Sequence, residues 1–174
     1  TIFLVISNVF IDSGFSNALI RKVDRTEKDL STAFYFNFVI GGISYILLFL
    51  FSNLIAVFFE EPLLVDLIRI VGLNVMLHSL CIVQNAILTS QLNIRLLTVI
   101  NLSSQIPSGI VAIYLAYNGF GVYALAVQTV LCSVIRTIML WVCVKWRPRE
   151  RFDKQSFNYL WGFGSKLLLS SLIG

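Results

Sequence analysis

Charge is scarce in this sequence: 13% of its 174 residues are Asp, Glu, Lys or Arg, about half the share of an ordinary soluble domain. Low charge does not mean disorder here, because 57% of the residues are hydrophobic and disordered chains are poor in apolar mass. Cysteine is sparse too. Cys81, Cys132 and Cys143 are too few for a disulfide-stapled secreted scaffold, and no C-x-x-C or Cys/His cluster exists for zinc. There are only 3 prolines and a single histidine, His78. No P-loop glycine pattern occurs, so nothing supports ATP hydrolysis.

What is present is apolar and basic, with a mean hydropathy of +0.86 and a pI near 9.1. The chain opens at Thr1 inside an apolar run, with no charged n-region, so the run is not a signal peptide. It stops at Gly174 inside another such run. The expectation is a fragment of a longer membrane protein.

A bilayer core is crossed by about 20 apolar residues. Stretches of that kind fall at roughly 33–58, 63–88, 96–117 and 122–144, with partial ones at 1–20 and 157–174. The separators are short. Glu60-Glu61-Pro62 stops a helix, and Asn118-Gly119-Phe120-Gly121 reads as a tight turn. Short loops make neighbouring spans antiparallel, so successive loops must alternate sides.

The basic residues test that alternation. Loops 21–29, 89–97 and 145–156 hold ten of the thirteen, whereas 58–66 and 117–121 hold none. The positive-inside rule therefore places 21–29, 89–97 and 145–156 in the cytoplasm. Aromatic residues fall near both interfaces: Phe58, Phe59, Tyr117 and Tyr123 outside, and Trp141, Trp146, Tyr159 and Trp161 inside. The high pI is thus a topology signal, and nucleic acid is not an expected partner. The fold class is all-α, a polytopic membrane helical bundle. Barrel strands are half as long and alternate apolar with polar residues.

Polar side chains inside the spans mark inward faces. At 100° per residue, Asn74, His78, Cys81 and Asn85 share one face of 63–88. Asn101, Ser104, Gln105 and Ser108 share one on the next span, which also contains Pro107, read as a kink or broken turn. Gln128, Cys132, Arg136 and Cys143 line up on 122–144, and Asn37, Gly41, Ser44 and Ser52 on 33–58. Such stripes can be helix-packing contacts or the wall of a shared hydrophilic cavity. Repetition across four spans favours the cavity.

A charge at a helix centre costs about 2.5–3.5 kcal/mol on insertion scales, so intramembrane charges are informative. Asp12 lies nine residues before Arg21, and Arg136 nine before Lys145; at ~1.5 Å per residue both sit about 13 Å from their cytoplasmic ends. Lys166 reaches a similar depth along the helix beginning near Phe157. Arg136 and Lys166 read either as structural partners of Asp12 or as a cationic site for an anionic headgroup. Arg69 lies only about 9 Å from Leu63 on the outer side and reads as snorkelling to that interface. His78 reads first as a hydrogen-bonded packing residue, and second as a proton relay.

Six segments carry a family resemblance. They are GFSNALIRK (Gly14 to Lys22), EKDLSTAFYFN (Glu27 to Asn37), IAVFFEEPLLVDLIRI (Ile55 to Ile70), AYNGFGVYALAVQT (Ala116 to Thr129), WRPRERF (Trp146 to Phe152) and FGSKLLLS (Phe163 to Ser170). In this order and spacing the chain resembles the Wzx-type flippases. These form the polysaccharide transporter branch of the multidrug/oligosaccharidyl-lipid/polysaccharide exporter superfamily. Tyr123 stands where many relatives have Trp, and Ile94 where Phe is common.

The resemblance implies two six-helix lobes around a central cavity. Residues 1–147 would be the N-terminal lobe without its first helix, and 148–174 the inter-lobe linker and the first helix of the second lobe. It implies alternating access that moves an undecaprenyl-pyrophosphate-linked oligosaccharide across a bacterial inner membrane. The cavity would be lined by Arg136, Lys166, Asn74, His78, Asn85, Asn101, Gln105 and Gln128, with Asp12 serving a coupling cation, H+ or Na+. No metal site and no cofactor are expected. A multidrug antiporter of the same superfamily is the nearest rival, but would put carboxylates in the cavity. A membrane-embedded polysaccharide-synthesis enzyme is the rival from another class, and would need a large extramembrane loop or paired carboxylates near an interface.

Overall fold

The computed structural model describes residues 19–20, 26–158 and 160–162. Among these residues the regular structure is helical, without strands. The helices are α1 (Glu27–Phe58), α2 (Leu63–Ser79), α3 (Ile82–Ser90), α4 (Ile94–Tyr117) and α5 (Val122–Cys143). Helical backbone returns at 154–158 and 160–162.

α1 begins six residues ahead of its apolar run because its first turn is held by polar chemistry. The Thr26 hydroxyl accepts from the Asp29 N–H at 3.4 Å, and the Asp29 carboxylate accepts from the Thr26 N–H at 2.9 Å. This capping box satisfies two otherwise orphaned donors. With 32 residues α1 is about 48 Å long, against about 30 Å of hydrocarbon. An upright α1 therefore extends beyond the hydrocarbon.

Three helix ends close in the same way. At the end of α1 the Glu60 N–H donates to Val57 O and the Glu61 N–H to Ala56 O; α3 and α4 repeat the pattern at Leu92/Asn93 and Gly119/Phe120. These paired bonds are Schellman motifs, which require a left-handed residue just past the helix. Glu60 (φ 56°), Leu92 (φ 52°) and Gly119 (φ 85°) supply it. Only the last is glycine, so only that end is free of Cβ strain. Asn93 then caps α4, its side-chain oxygen accepting from the Leu96 N–H at 3.3 Å.

The span expected as one helix over 63–88 is two, α2 and α3, bent by 46° at Leu80–Cys81. No proline or glycine lies at the bend. The turn tightens there, with the Cys81 N–H donating to His78 O at 2.9 Å. The Leu80 carbonyl is taken up from outside the helix by the Trp141 indole Nε1–H at 3.3 Å. A broken helix is tolerated at membrane depth where neighbours re-satisfy its backbone. Near Pro107, read as a kink or broken turn, α4 is continuous from Ile94 to Tyr117, so the broken-turn alternative does not hold. There the Ser108 hydroxyl bonds to the carbonyls of Ser104 and Gln105, at 2.8 and 3.0 Å.

α1 packs along α2, α2 along α5, and α5 along α4. α1 and α2 meet closely at Gly41. A Cβ placed on Gly41 would lie 2.5 Å from Ser79 Oγ and 2.6 Å from its Cβ, so only glycine lets the helices meet there. Around it, Val75 and Ile82 pack on Ile40 and Leu48. A second cluster joins Leu30, Ala33 and Phe34 of α1 to Val83 and Ala86 of α3, together with Leu19 and Leu160. A third joins Leu88, Ile100, Leu140 and Val144 across α3, α4 and α5.

This arrangement segregates the charges. The α1 start, the α3–α4 turn and the α5 end lie together, bringing Lys28, Arg95, Lys145, Arg147, Arg149, Arg151 and Lys154 to one end of the bundle. The opposite end carries Glu60, Glu61 and Asp66, where the Tyr123 hydroxyl donates to Asp66 at 3.4 Å. They are called the basic and acidic ends below.

Candidate functional site

In hydrocarbon a hydroxyl without a partner is costly, and most in these helices bond their own backbone. Ser52, Ser79, Ser104 and Thr129 donate to the carbonyl three residues earlier, and Thr137 to the one four earlier. Their protons committed, these oxygens serve their neighbours as acceptors. That fixes donor direction between helices. Because Thr137 gives its proton to Ser133 O, the Cys81 thiol 3.1 Å away must be the donor. In the same sense Cys132 Sγ donates to Ser104 Oγ across 3.7 Å.

The seam between α2–α3 and α5 carries the largest polar constellation. Asn74 Oδ1 accepts from the Ser133 hydroxyl, Cys81 donates to Thr137, and Asn85 Oδ1 accepts from Arg136 Nη2 at 3.3 Å. The stripe expected on 63–88 therefore keeps its direction across the bend. Arg136 is half-buried, and its Nε is sealed from solvent without a hydrogen-bond partner among the described residues. A guanidinium stays charged, and among the described residues this one meets a neutral amide oxygen and no carboxylate.

The other expected site residues are dispersed. His78 is half-buried in the last turn of α2, Asn101 is half-buried on α4, and Gln105 is exposed there. Gln128 lies over Gly109, whose Cβ would be 4.0 Å from the Gln128 Nε2. Both border a groove of about 430 Å³ lined by small residues of α4 and α5, among them Ala112, Ala116, Gly121 and Ala124. Cys143, expected in line with Arg136, is exposed. Asp12 and Lys166 lie outside the described residues.

Sequence reasoning passed over several participants. Ser133 and Thr137 flank Arg136 at helical spacing, and that spacing was the available signal. Gln84 is fully buried on α3 with both amide atoms unpaired among the described residues, and Asn37 Nδ2 is unpaired likewise. Asn37 belongs to the stripe expected on 33–58, whereas no periodicity announced Gln84.

The basic end is closed by the linker. Arg147 reaches back to the carbonyls of Val144 at 3.0 Å and of Trp141, and lies 5.0 Å from the Trp141 ring centroid. A cation capping the last carbonyls of α5 opposes its dipole. The Trp146 indole donates to Glu27 at 2.8 Å, and the Asp153 N–H to Thr32 Oγ1 at 3.0 Å. Asp153 also accepts from the Ser156 N–H at 2.8 Å, starting the next helix. That bond, with Lys28 nearby, holds the Asp153 carboxyl below its ordinary range.

Among the described residues three helices, with α2–α3 as a fourth bent span, are long and apolar enough to cross a bilayer. Their seams are polar while their outward faces carry large apolar side chains. Together these features define a polytopic membrane helical bundle. The chain belongs to the family described as polysaccharide biosynthesis protein, which matches it over residues 1–174.

Among relatives, it is 30% identical over 172 residues to the teichuronic acid biosynthesis protein TuaB of Bacillus subtilis (strain 168), covering 97% of this chain and 35% of that protein. It is 25% identical over 143 residues to the succinoglycan biosynthesis transport protein ExoT of Rhizobium meliloti (strain 1021), covering 82% of this chain and 29% of that one. The chain thus spans about a third of the length of these curated relatives. No solved structure matches it significantly.

Proposed function

We propose that the chain is part of a bacterial inner-membrane transporter that flips an undecaprenyl-pyrophosphate-linked oligosaccharide by alternating access for polysaccharide export. The substrate enters from the cytoplasmic side, at the basic end. Residues 1–147 belong to its N-terminal lobe, and 148–174 to the linker and the first helix of a second lobe. Arg136 carries the reading: a permanent cation within the bilayer, hydrogen-bonded to a neutral amide, keeps net charge to offer a pyrophosphate. Lys166 is its second cation. The amides of Asn74, Asn85, Asn101, Gln105 and Gln128, with His78 on the same stripe as Asn74 and Asn85, suit sugar hydroxyls. Asp12 serves the coupling cation, H+ or Na+.

The names of the relatives support a role in polysaccharide assembly, and that of ExoT supports transport. The antiporter reading is disfavoured by the seam residues among those described, which are amides, hydroxyls, a thiol and Arg136 rather than carboxylates. The discriminating experiment is complementation of a flippase-null strain by the full-length gene. Restored surface polysaccharide supports the proposal. Restored drug resistance alone would overturn it in favour of the antiporter.

A further inference from the structure

The linker that follows α5 brings cations and aromatic rings to one level of the bilayer, and two bonds fix that level. The Trp146 indole donates to Glu27 in the first turn of α1, and the Asp153 N–H donates to Thr32 Oγ1. Thr32 directly precedes the apolar run of α1, which begins at Ala33. Glu27 lies five residues earlier, about 8 Å further out along the helix axis. Headgroups occupy roughly 5–7 Å on each side of the hydrocarbon. The stretch between the two anchors therefore runs through the headgroup layer.

Its side chains suit that layer. Lys145, Arg149, Arg151 and Lys154 are exposed, as is Lys28, whose charge is felt at Asp153. None of these five makes a hydrogen bond or salt bridge among the described residues, whereas Arg147 is committed to the α5 carbonyls. Glu150 is the opposing charge in the stretch. Between Arg151 and Lys154, Phe152 exposes 50% of its surface, and Trp161 exposes 49%. They end one stack of rings. Phe152 lies 5.6 Å from Phe157, and Phe157 5.9 Å from Trp161. Phe36, one turn into the apolar run of α1, meets Phe157 at 5.1 Å and Trp161 at 5.8 Å. Rings at the hydrocarbon edge with cations just outside make an interfacial anchor.

We propose that this linker is a binding surface for anionic phospholipids of the leaflet at the basic end. Phe152 and Trp161 enter the acyl boundary, and Lys28, Arg149, Arg151 and Lys154 take up headgroup phosphates by charge-assisted hydrogen bonds. A basic cluster beside a spanning helix selects anionic over zwitterionic lipid. An acidic protein would match the cations, but not the two rings, which lie where lipid is the solvent. The surface is independent of what the transporter carries.

The test uses the full-length protein in phosphatidylcholine nanodiscs. Each contains a trace of phosphatidylglycerol or of phosphatidylcholine bearing a photoreactive group next to the glycerol. The phosphatidylglycerol probe should label the linker several-fold more strongly. Arg151→Gln should lower that labelling about fivefold, the effect of one cation near an anionic surface, and Arg151→Lys should retain most of it. Replacing Arg149, Arg151 and Lys154 together by Gln should bring it down to the phosphatidylcholine level. Phe152→Ser should lower labelling by both probes. All four side chains are exposed, so the variants should keep the Tm of the parent. Equal labelling of the linker by the two probes would overturn the proposal. So would labelling that is indifferent to the triple replacement, or none because the rest of the protein covers the linker.

Discussion

The indole N–H of Trp141 donates to the carbonyl of Leu80 at 3.3 Å, where the α2–α3 span bends by 46°. One side chain on α5 thus stabilises a discontinuity in another span. Trp141→Phe keeps a ring beside Phe34, now 5.8 Å away between centroids, but removes the donor. It should destabilise the full-length protein by about 1 kcal/mol, read as a lower Tm in detergent. Faster amide exchange is expected at 81–85. Unchanged exchange there would show that the bend holds itself.

The contact between Gly41 and Ser79 makes a sharper prediction. Gly41→Ala places a methyl 2.5 Å from Ser79 Oγ and 2.6 Å from its Cβ, and should cost about 1–3 kcal/mol by overpacking. Adding Ser79→Gly should restore the Tm, whereas adding Ser79→Ala should not, because the Cβ remains. Equal rescue by both would mean that the hydroxyl, not the backbone approach, sets the distance.

Arg136 should separate stability from activity. Removing an intramembrane charge relieves a cost of about 2.5–3.5 kcal/mol, so Arg136→Ala should insert and fold at least as well as the parent. Transport, measured by surface polysaccharide in a complemented strain, should be lost. Arg136→Lys should retain part of it, having the charge without the fork. Full activity in Arg136→Ala would exclude this residue from the substrate path.

The linker should respond to acid through Asp153. Its carboxyl is held below the ordinary value of 3.8 by the Ser156 bond and then by Lys28. Its contribution is therefore complete above pH 3.8 and is lost as the pH falls through the lower folded value. Amide exchange at Ser156 should accelerate across that window, and Asp153→Asn should abolish the pH dependence. Acceleration that persists in Asp153→Asn would assign it to another group.

Much of the bundle was legible because hydrocarbon imposes length and continuity. The ends of α1, α4 and α5 follow from Glu60-Glu61-Pro62, Asn118-Gly119 and the basic linker. The bend at Leu80–Cys81 was not, since the indole that takes up the Leu80 carbonyl there lies 61 positions away. Pro107 drew attention for its missing N–H, yet α4 continues through it. The stripe from Asn74 to Asn85 could be read as inward-facing, but not its match to Ser133, Thr137 and Arg136, which depends on how α5 is rotated. Gln84 shows the same limit: burial of a lone amide is decided by neighbours that periodicity does not name.

The linker, finally, has no slack. Between Lys145 and Asp153 it is fastened at Trp146 to Glu27, at Arg147 to the end of α5, and at Asp153 to Thr32. A segment pinned at three points acts as a bracket and not as a cord. The helical turns after Asp153 are thereby held to α1 and α5. Glycines inserted into this stretch would not merely lengthen a tether; they would release those turns from both helices.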